Sequence, residues 1–178
     1  MLQFNDSLPS IGTSVNIFYL DESPKLAATY QCDRHVVKMI VETAQLLFTA
    51  HHELCPADLP SGVYKPTHVN HPCAKWVRSS AANYEWTKEH LTALLDEYEH
   101  RYERVHKVRY AGLESILERV PTGIQIVDIT RPPRCMPPEF KVDSVVDSYR
   151  NYYVGTKSRF AKWKMGNTPK WYIEMLNS

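Results

Sequence analysis

Residues 32–45 read CDRHVVKMIVETAQ, and their periodicity decides the fold class. At the helical rotation of about 100° per residue, His35, Lys38, Glu42 and Gln45 form one line that Thr49 and His52 continue, all within an arc of about 100°. Val36, Val37, Met39, Ile40, Val41, Ala44, Leu46, Leu47 and Phe48 cover almost every other direction. A surface helix normally carries a wide polar face and an apolar stripe. This one is inverted, so it belongs deep in a helical bundle with its polar line toward a cleft or a solvent edge.

Working outward, DESPK supplies a Ser23 N-cap and a first-turn Pro24, which predicts a helix from about residue 24 to His52, where ELCPADLPSG breaks it. Ahead of it, VNIFYL (15–20) is a short strand-like lead-in, and residues 1–15 read as a flexible extension. Downstream, Val77, Tyr84, Leu91, Tyr98 and Val105 recur every seven residues and predict one long amphipathic helix over about 72–106. GLESILERV predicts a short third helix. Five prolines between residues 120 and 140 impose a stiff irregular crossover. A last long helix over about 142–164 is expected to bury Val145, Val146, Tyr149, Tyr152, Phe160 and Trp163, with a bend at Gly155; TPKWYIEML then anchors the end. The expectation is an all-α, single-domain bundle of three to four main helices over residues 16–178.

The chain of 178 residues carries 21 Lys and Arg against 20 Asp and Glu, so net charge alone neither demands nor excludes a polyanionic partner. Distribution is more informative. Lys65, His68, Asn70, His71, Lys75 and Arg78 crowd a loop and a helix start, where the dipole and free amides favour an anion. Arg150, Lys157, Arg159, Lys162, Lys164 and Lys170 alternate with Tyr and Trp, a pattern suited to a phosphate backbone and an exposed base, or to an aromatic core stripe with solvated lysines. The carboxylates concentrate in LLDEYEHRYER (94–104). The four cysteines are far apart with no CxxC pair, and His68 and His71 gain no ligand at helical spacing except Cys73, so neither a metal nor another cofactor is expected. No stretch approaches the roughly 18 apolar residues of a membrane span. A cytoplasmic monomer is the expectation.

Glu42 lies mid-helix among bulky apolar neighbours, two turns past His35. A partly buried carboxyl with neutralising neighbours suits general acid–base work or the stabilisation of a developing cation; the plainer reading is the solvent edge of a buried helix.

DRHVVKMIVE, NHPCAKWVR, EYEHRYER, MPPEF and TPKWY follow one another in the order and spacing of the phage pyrimidine-dimer DNA glycosylases of the endonuclease V type, which the chain resembles over roughly residues 24–172. The whole pattern from NIFYLDESP to KWY is also similar to an uncharacterised phage protein family. The glycosylase resemblance implies an all-helical protein that binds and kinks duplex DNA and flips a base out of the stack. It implies that Glu42 carries the chemistry beside His35. Asp33, Lys38, Gln45, Lys65, His68, Asn70, His71, Arg78, Arg150, Lys157, Lys162 and Lys164 are the candidate nucleic-acid contacts.

Two departures stand out. The nucleophile of those enzymes is the free amine of a residue just before the first helix, whereas here about 15 residues precede Asn16; and Gln45 replaces an arginine one turn past the glutamate. Three readings follow: hydrolysis of a damaged or modified pyrimidine's glycosidic bond, transfer of an amine or amino-acid co-substrate onto an activated hydroxymethyl-pyrimidine, or non-catalytic binding of nucleic acid or a host protein.

Overall fold

The computed structural model describes residues 15–178, and all regular structure among them is helical. The loose extension expected over residues 1–15 lies outside the described residues, apart from a buried Val15. The elements in chain order are α1 (Pro24–Thr29), α2 (Asp33–Leu54), α3 (Pro72–Ser79), α4 (Ala81–Tyr102), α5 (Lys107–Tyr110), α6 (Leu113–Leu117), α7 (Val145–Lys157) and α8 (Lys170–Leu176), with three single turns of 3-10 helix. Helix α4 packs along α1 and α2, and α3 bridges α2 and α4. Ile17, Leu20, Met39, Ile40, Leu47, Phe48, Tyr84, Leu94, Tyr149 and Tyr153 meet in the core. No helix among the described residues is long and apolar enough to cross a membrane.

Two of the three long helices expected from the pattern are divided where polar side chains intervene. The first is capped at Ser23 as expected but stops at Thr29 and restarts at Asp33. The Cys32 amide donates to the Tyr153 hydroxyl at 2.8 Å, while the Arg101 guanidinium donates to the carbonyls of Thr29 and Gln31. Those groups would be tied up in a continuous helix, so the side chains of α4 and α7 hold the break open. The second is divided at Ser80, whose extended backbone and side chain cap α4 through the Asn83 amide. Buried Asn83 then reaches Trp76 O, Ser79 Oγ and both the amide and hydroxyl of Thr130, fastening the crossover. Val77, Tyr84 and Leu91 are core residues as the seven-residue spacing predicts, but Val105 is exposed because α4 ends at Tyr102 and Glu103 turns left-handed (φ 53°).

The lead-in VNIFYL is buried but forms no strand. Residues 120–140 are irregular as expected, with one 3-10 turn at Pro138–Phe140. The last long helix is shorter than its pattern suggests: α7 buries Tyr149 and Tyr153 fully, whereas Val145, Val146, Tyr152, Phe160 and Trp163 are half-buried. Gly155 lies inside α7 without interrupting it. The ring of Phe140 rests where a Cβ at residue 155 would be, so this glycine serves close packing.

Candidate active site and nucleic-acid groove

The polar line of α2 has two fates. At its C-terminal end it fastens a loop: Thr49 Oγ accepts from the Thr67 amide (3.1 Å), and His52 Nε2 meets the Tyr64 carbonyl (3.0 Å). At its N-terminal end it meets the lead-in. Asn16 Oδ1 accepts the amides of both Ile17 and Phe18, and this turn leaves Phe18 at φ 46°, an uncommon conformation for a bulky residue. The Phe18 ring stacks on the His35 imidazole at 4.4 Å, with Tyr153 and Phe160 edge-on at 5.1 and 5.7 Å. His35 is only 6% exposed and its Nδ1 has no hydrogen-bond partner. Burial, reinforced by Lys157, Lys38 and Arg34, pushes its pKa down to about 3, so the ring is neutral at physiological pH.

Glu42 lies two turns further on. Its side chain is 13% exposed, Oε1 is 3.0 Å from Lys38 Nζ, and Oε2 is buried with no partner. A buried carboxylate oxygen without a donor is costly in a protein of ordinary stability, so it calls for a functional account.

Beside His35 opens a cleft of about 610 Å³ lined by Asp33, Arg34, His35, Val37, Lys38, Tyr102, Lys157 and Phe160. Its cations lie against aromatic faces: Arg34 over Phe160 (5.1 Å), Lys157 over Tyr152 (4.5 Å) and, at the rim, Lys164 over Tyr102 (4.4 Å). This is a cationic groove with aromatic walls, able to hold phosphates and stack an unpaired base. Glu42 is reached from it through Lys38 and does not itself line it.

The sequence model for the pyrimidine dimer DNA glycosylase family matches residues 15–109, which span the lead-in, both halves of each divided helix and α5 up to Arg109. The chain belongs to this family. Searches of curated proteins and of solved structures returned no match. Membership gives a DNA-acting glycosylase lineage to the segment that holds His35, Lys38 and Glu42.

Of the candidate contacts in this glycosylase-family chain, the structure gathers Asp33, His35, Lys38, Lys157 and Lys164 around the groove. It also brings Arg34, Tyr102 and Phe160 to the groove, none of which is among the contacts expected from the sequence. Arg34 stands inside the DRH motif, between Asp33 and His35. Asp33 is engaged within the protein, accepting from Arg101 Nη1 (3.0 Å) and the Lys164 amide (3.1 Å). Lys162 is exposed on the adjoining segment, where its carbonyl accepts from the Asp33 amide.

Others are drawn into the fold. Arg150 binds the Leu20 carbonyl and Asp21 and lies over Trp171. Arg78 donates to the Val69 carbonyl (2.8 Å). Both guanidinium groups thus hold backbone in place, a use invisible in a charge pattern. Lys65, His68 and Asn70 are exposed on the loop before α3, and half-buried Gln45 lines none of the clefts described.

The long-range fold also joins residues that spacing keeps apart. Cys73 at the start of α3 and Cys135 in the crossover approach to 3.5 Å between sulfurs. A ring nitrogen of His71 lies with both sulfurs inside a 4.8 Å sphere of mutual separation. The hydrogen bond that Cys73 donates to Cys135, together with burial, pushes the Cys73 thiol up, while Cys135, accepting from it, is held below the usual thiol range. The ring of His71 faces a second cleft of about 490 Å³, shared with Arg134, Cys135, Lys141 and Tyr152.

Proposed function

We propose that this protein hydrolyses the N-glycosidic bond of a damaged or modified pyrimidine nucleotide in DNA. Family membership supports the class of reaction. The observation that carries the assignment of the chemistry is Glu42, whose Oε2 is buried without a donor while Oε1 is fixed by Lys38. Loss of the base builds positive charge on the sugar, and a pre-oriented carboxylate stabilises it without reorganising. In the reaction the C1′–N bond breaks with its electron pair leaving on the base, water oxygen bonds to C1′, the water proton passes to the Glu42 carboxylate, and the departing base takes a proton from solvent.

The groove supplies the grip. Arg34, Lys38, Lys157 and Lys164 meet phosphates, and Tyr102 and Phe160 offer faces to an extruded base. Neutral His35, clamped by Phe18, presents a hydrogen-bonding group without adding charge. Water is the nucleophile in this reading because the lead-in Val15–Leu20, a few residues ahead of the first helix, is buried peptide.

The test is an oligonucleotide panel carrying different pyrimidine lesions and modifications, with products weighed by mass spectrometry. Free base plus an abasic site is expected, and Glu42→Gln should abolish both while DNA affinity stays within about threefold. A heavier nucleoside would replace hydrolysis by group transfer. Unchanged product formation by Glu42→Gln would remove the carboxylate from the mechanism.

A further inference from the structure

We propose that His71, Cys73 and Cys135 form a binding site for one zinc ion, with a fourth coordination position open to the cleft beside them. The donor set is the first argument. Two sulfurs and an imidazole nitrogen suit zinc, and three protein ligands with one open position are a familiar tetrahedral arrangement. The geometry is the second. Zinc–sulfur bonds of about 2.3 Å place tetrahedral sulfurs about 3.8 Å apart, and Cys73 and Cys135 already stand at 3.5 Å. The imidazole has only to close from within 4.8 Å.

The surroundings hold the ligands ready. His71 Nδ1 accepts the Cys73 amide at 3.2 Å, so its lone pair points toward the start of α3 and a neutral ring carries its proton on Nε2. That is the tautomer required to bind an ion through Nδ1, and the long cap bond is exchanged for the metal bond. The Cys135 carbonyl accepts Asn16 Nδ2 at 2.9 Å, and Tyr149 donates to the Pro133 carbonyl at 2.7 Å, which fixes the crossover on both sides of the sulfur. On loading, the two thiol protons leave to solvent and the ion takes two thiolates, so the site's charge changes by zero. Arg134 and Lys141 in the adjoining cleft favour water or an anionic oxygen as the fourth ligand. The ion would join the crossover to α3 beside the lead-in, whose Asn16 already holds the Cys135 carbonyl. This inference stands apart from the glycosylase reading, since it needs no turnover.

The experiment uses the full chain, reduced and stripped with a chelator, then titrated with Zn²⁺ against a chromophoric competitor. One ion per chain is expected. Co²⁺ in its place should give thiolate-to-metal charge-transfer absorption with tetrahedral ligand-field bands. Half-exposed Cys135→Ser and His71→Ala should each weaken binding by about 100-fold or more, whereas Cys55→Ser should leave it unchanged. Should Cys73→Ser fail to fold, protection of Cys73 from alkylation by Zn²⁺ reads the same ligand in the unaltered chain. No stoichiometric binding, equal binding by Cys135→Ser, or an octahedral Co²⁺ spectrum lacking charge transfer would each overturn the proposal.

Discussion

Lys38 Nζ stands 3.0 Å from Glu42 Oε1, one turn apart on α2, and the lysine is exposed while the carboxylate is mostly enclosed. The pair therefore joins the surface of the groove to the inner carboxylate. When a phosphate occupies the groove, Lys38 has two anions to serve, and binding and chemistry become coupled through one ammonium group. Lys38→Met is expected to weaken DNA binding, to reduce the slope of log K against log salt by about 0.9, and to lower turnover as well. Lys157→Met should change the salt slope by a similar amount with a smaller effect on turnover, because it does not touch Glu42. Fluorescence-anisotropy titrations at several salt concentrations, paired with single-turnover rates, separate the two. Equal turnover losses would remove the special role of Lys38.

Arg101 is the interior counterpart of that pair. Its guanidinium is fully enclosed and reaches Asp33, Glu97 and the carbonyls of Thr29 and Gln31. Removing one member of a buried ion pair strands its partners, at a cost of about 3–5 kcal/mol. Arg101→Leu should lose stability on that scale in urea unfolding and should loosen the α1–α2 junction beside the groove. Arg101→Lys should recover little of it, since an ammonium cannot span four acceptors in a planar fork.

Those two pairs show what was legible in the sequence. The Lys38–Glu42 contact follows from spacing alone, and the all-helical class, the Ser23 cap and the proline-rich crossover were equally open to a reader of the pattern. The helix breaks were not. A period of 3.6 continues smoothly through Tyr30–Cys32, and only the distant Arg101 and Tyr153 make an interruption favourable there. Ser80 did carry a local signal, since its hydroxyl caps the Asn83 amide, but the heptad running across it was the stronger pattern. The site divides the same way. His35, Glu42, Lys157 and Lys164 announce themselves by type and position, whereas the meeting of Cys73 with Cys135 depends on a crossover 62 residues downstream. Arg78 and Arg150 look like phosphate ligands until backbone carbonyls are seen to occupy them.

Gly155 tests the packing of α7. A methyl group there collides with the Phe140 ring, although alanine is the better helix former by about 1 kcal/mol. Overpacking should win, so Gly155→Ala is expected to destabilise the chain by about 1–3 kcal/mol. The double variant with Phe140→Ala should recover part of that loss relative to Phe140→Ala alone, which a double-mutant cycle measures directly. Strictly additive losses would show that the ring moves aside freely.

Two buried histidines set the acid limb of stability. His90 is enclosed between Pro24 O (2.9 Å) and Gln31 Nε2 (3.1 Å), and burial lowers its pKa to about 4; His35 falls to about 3. Both folded values lie below the unfolded value of about 6.5, so below that pH the unfolded chain binds more protons. Stability is then fully present above about pH 6.5 and falls as the pH drops toward the folded values. The His90 shift corresponds to about 3 kcal/mol across that window. Urea unfolding at pH 7.5 and pH 4.5 should show the loss, and His90→Gln should flatten the dependence whatever its own stability at neutral pH. An unchanged slope in His90→Gln would mean that the ring does not stay neutral in the fold.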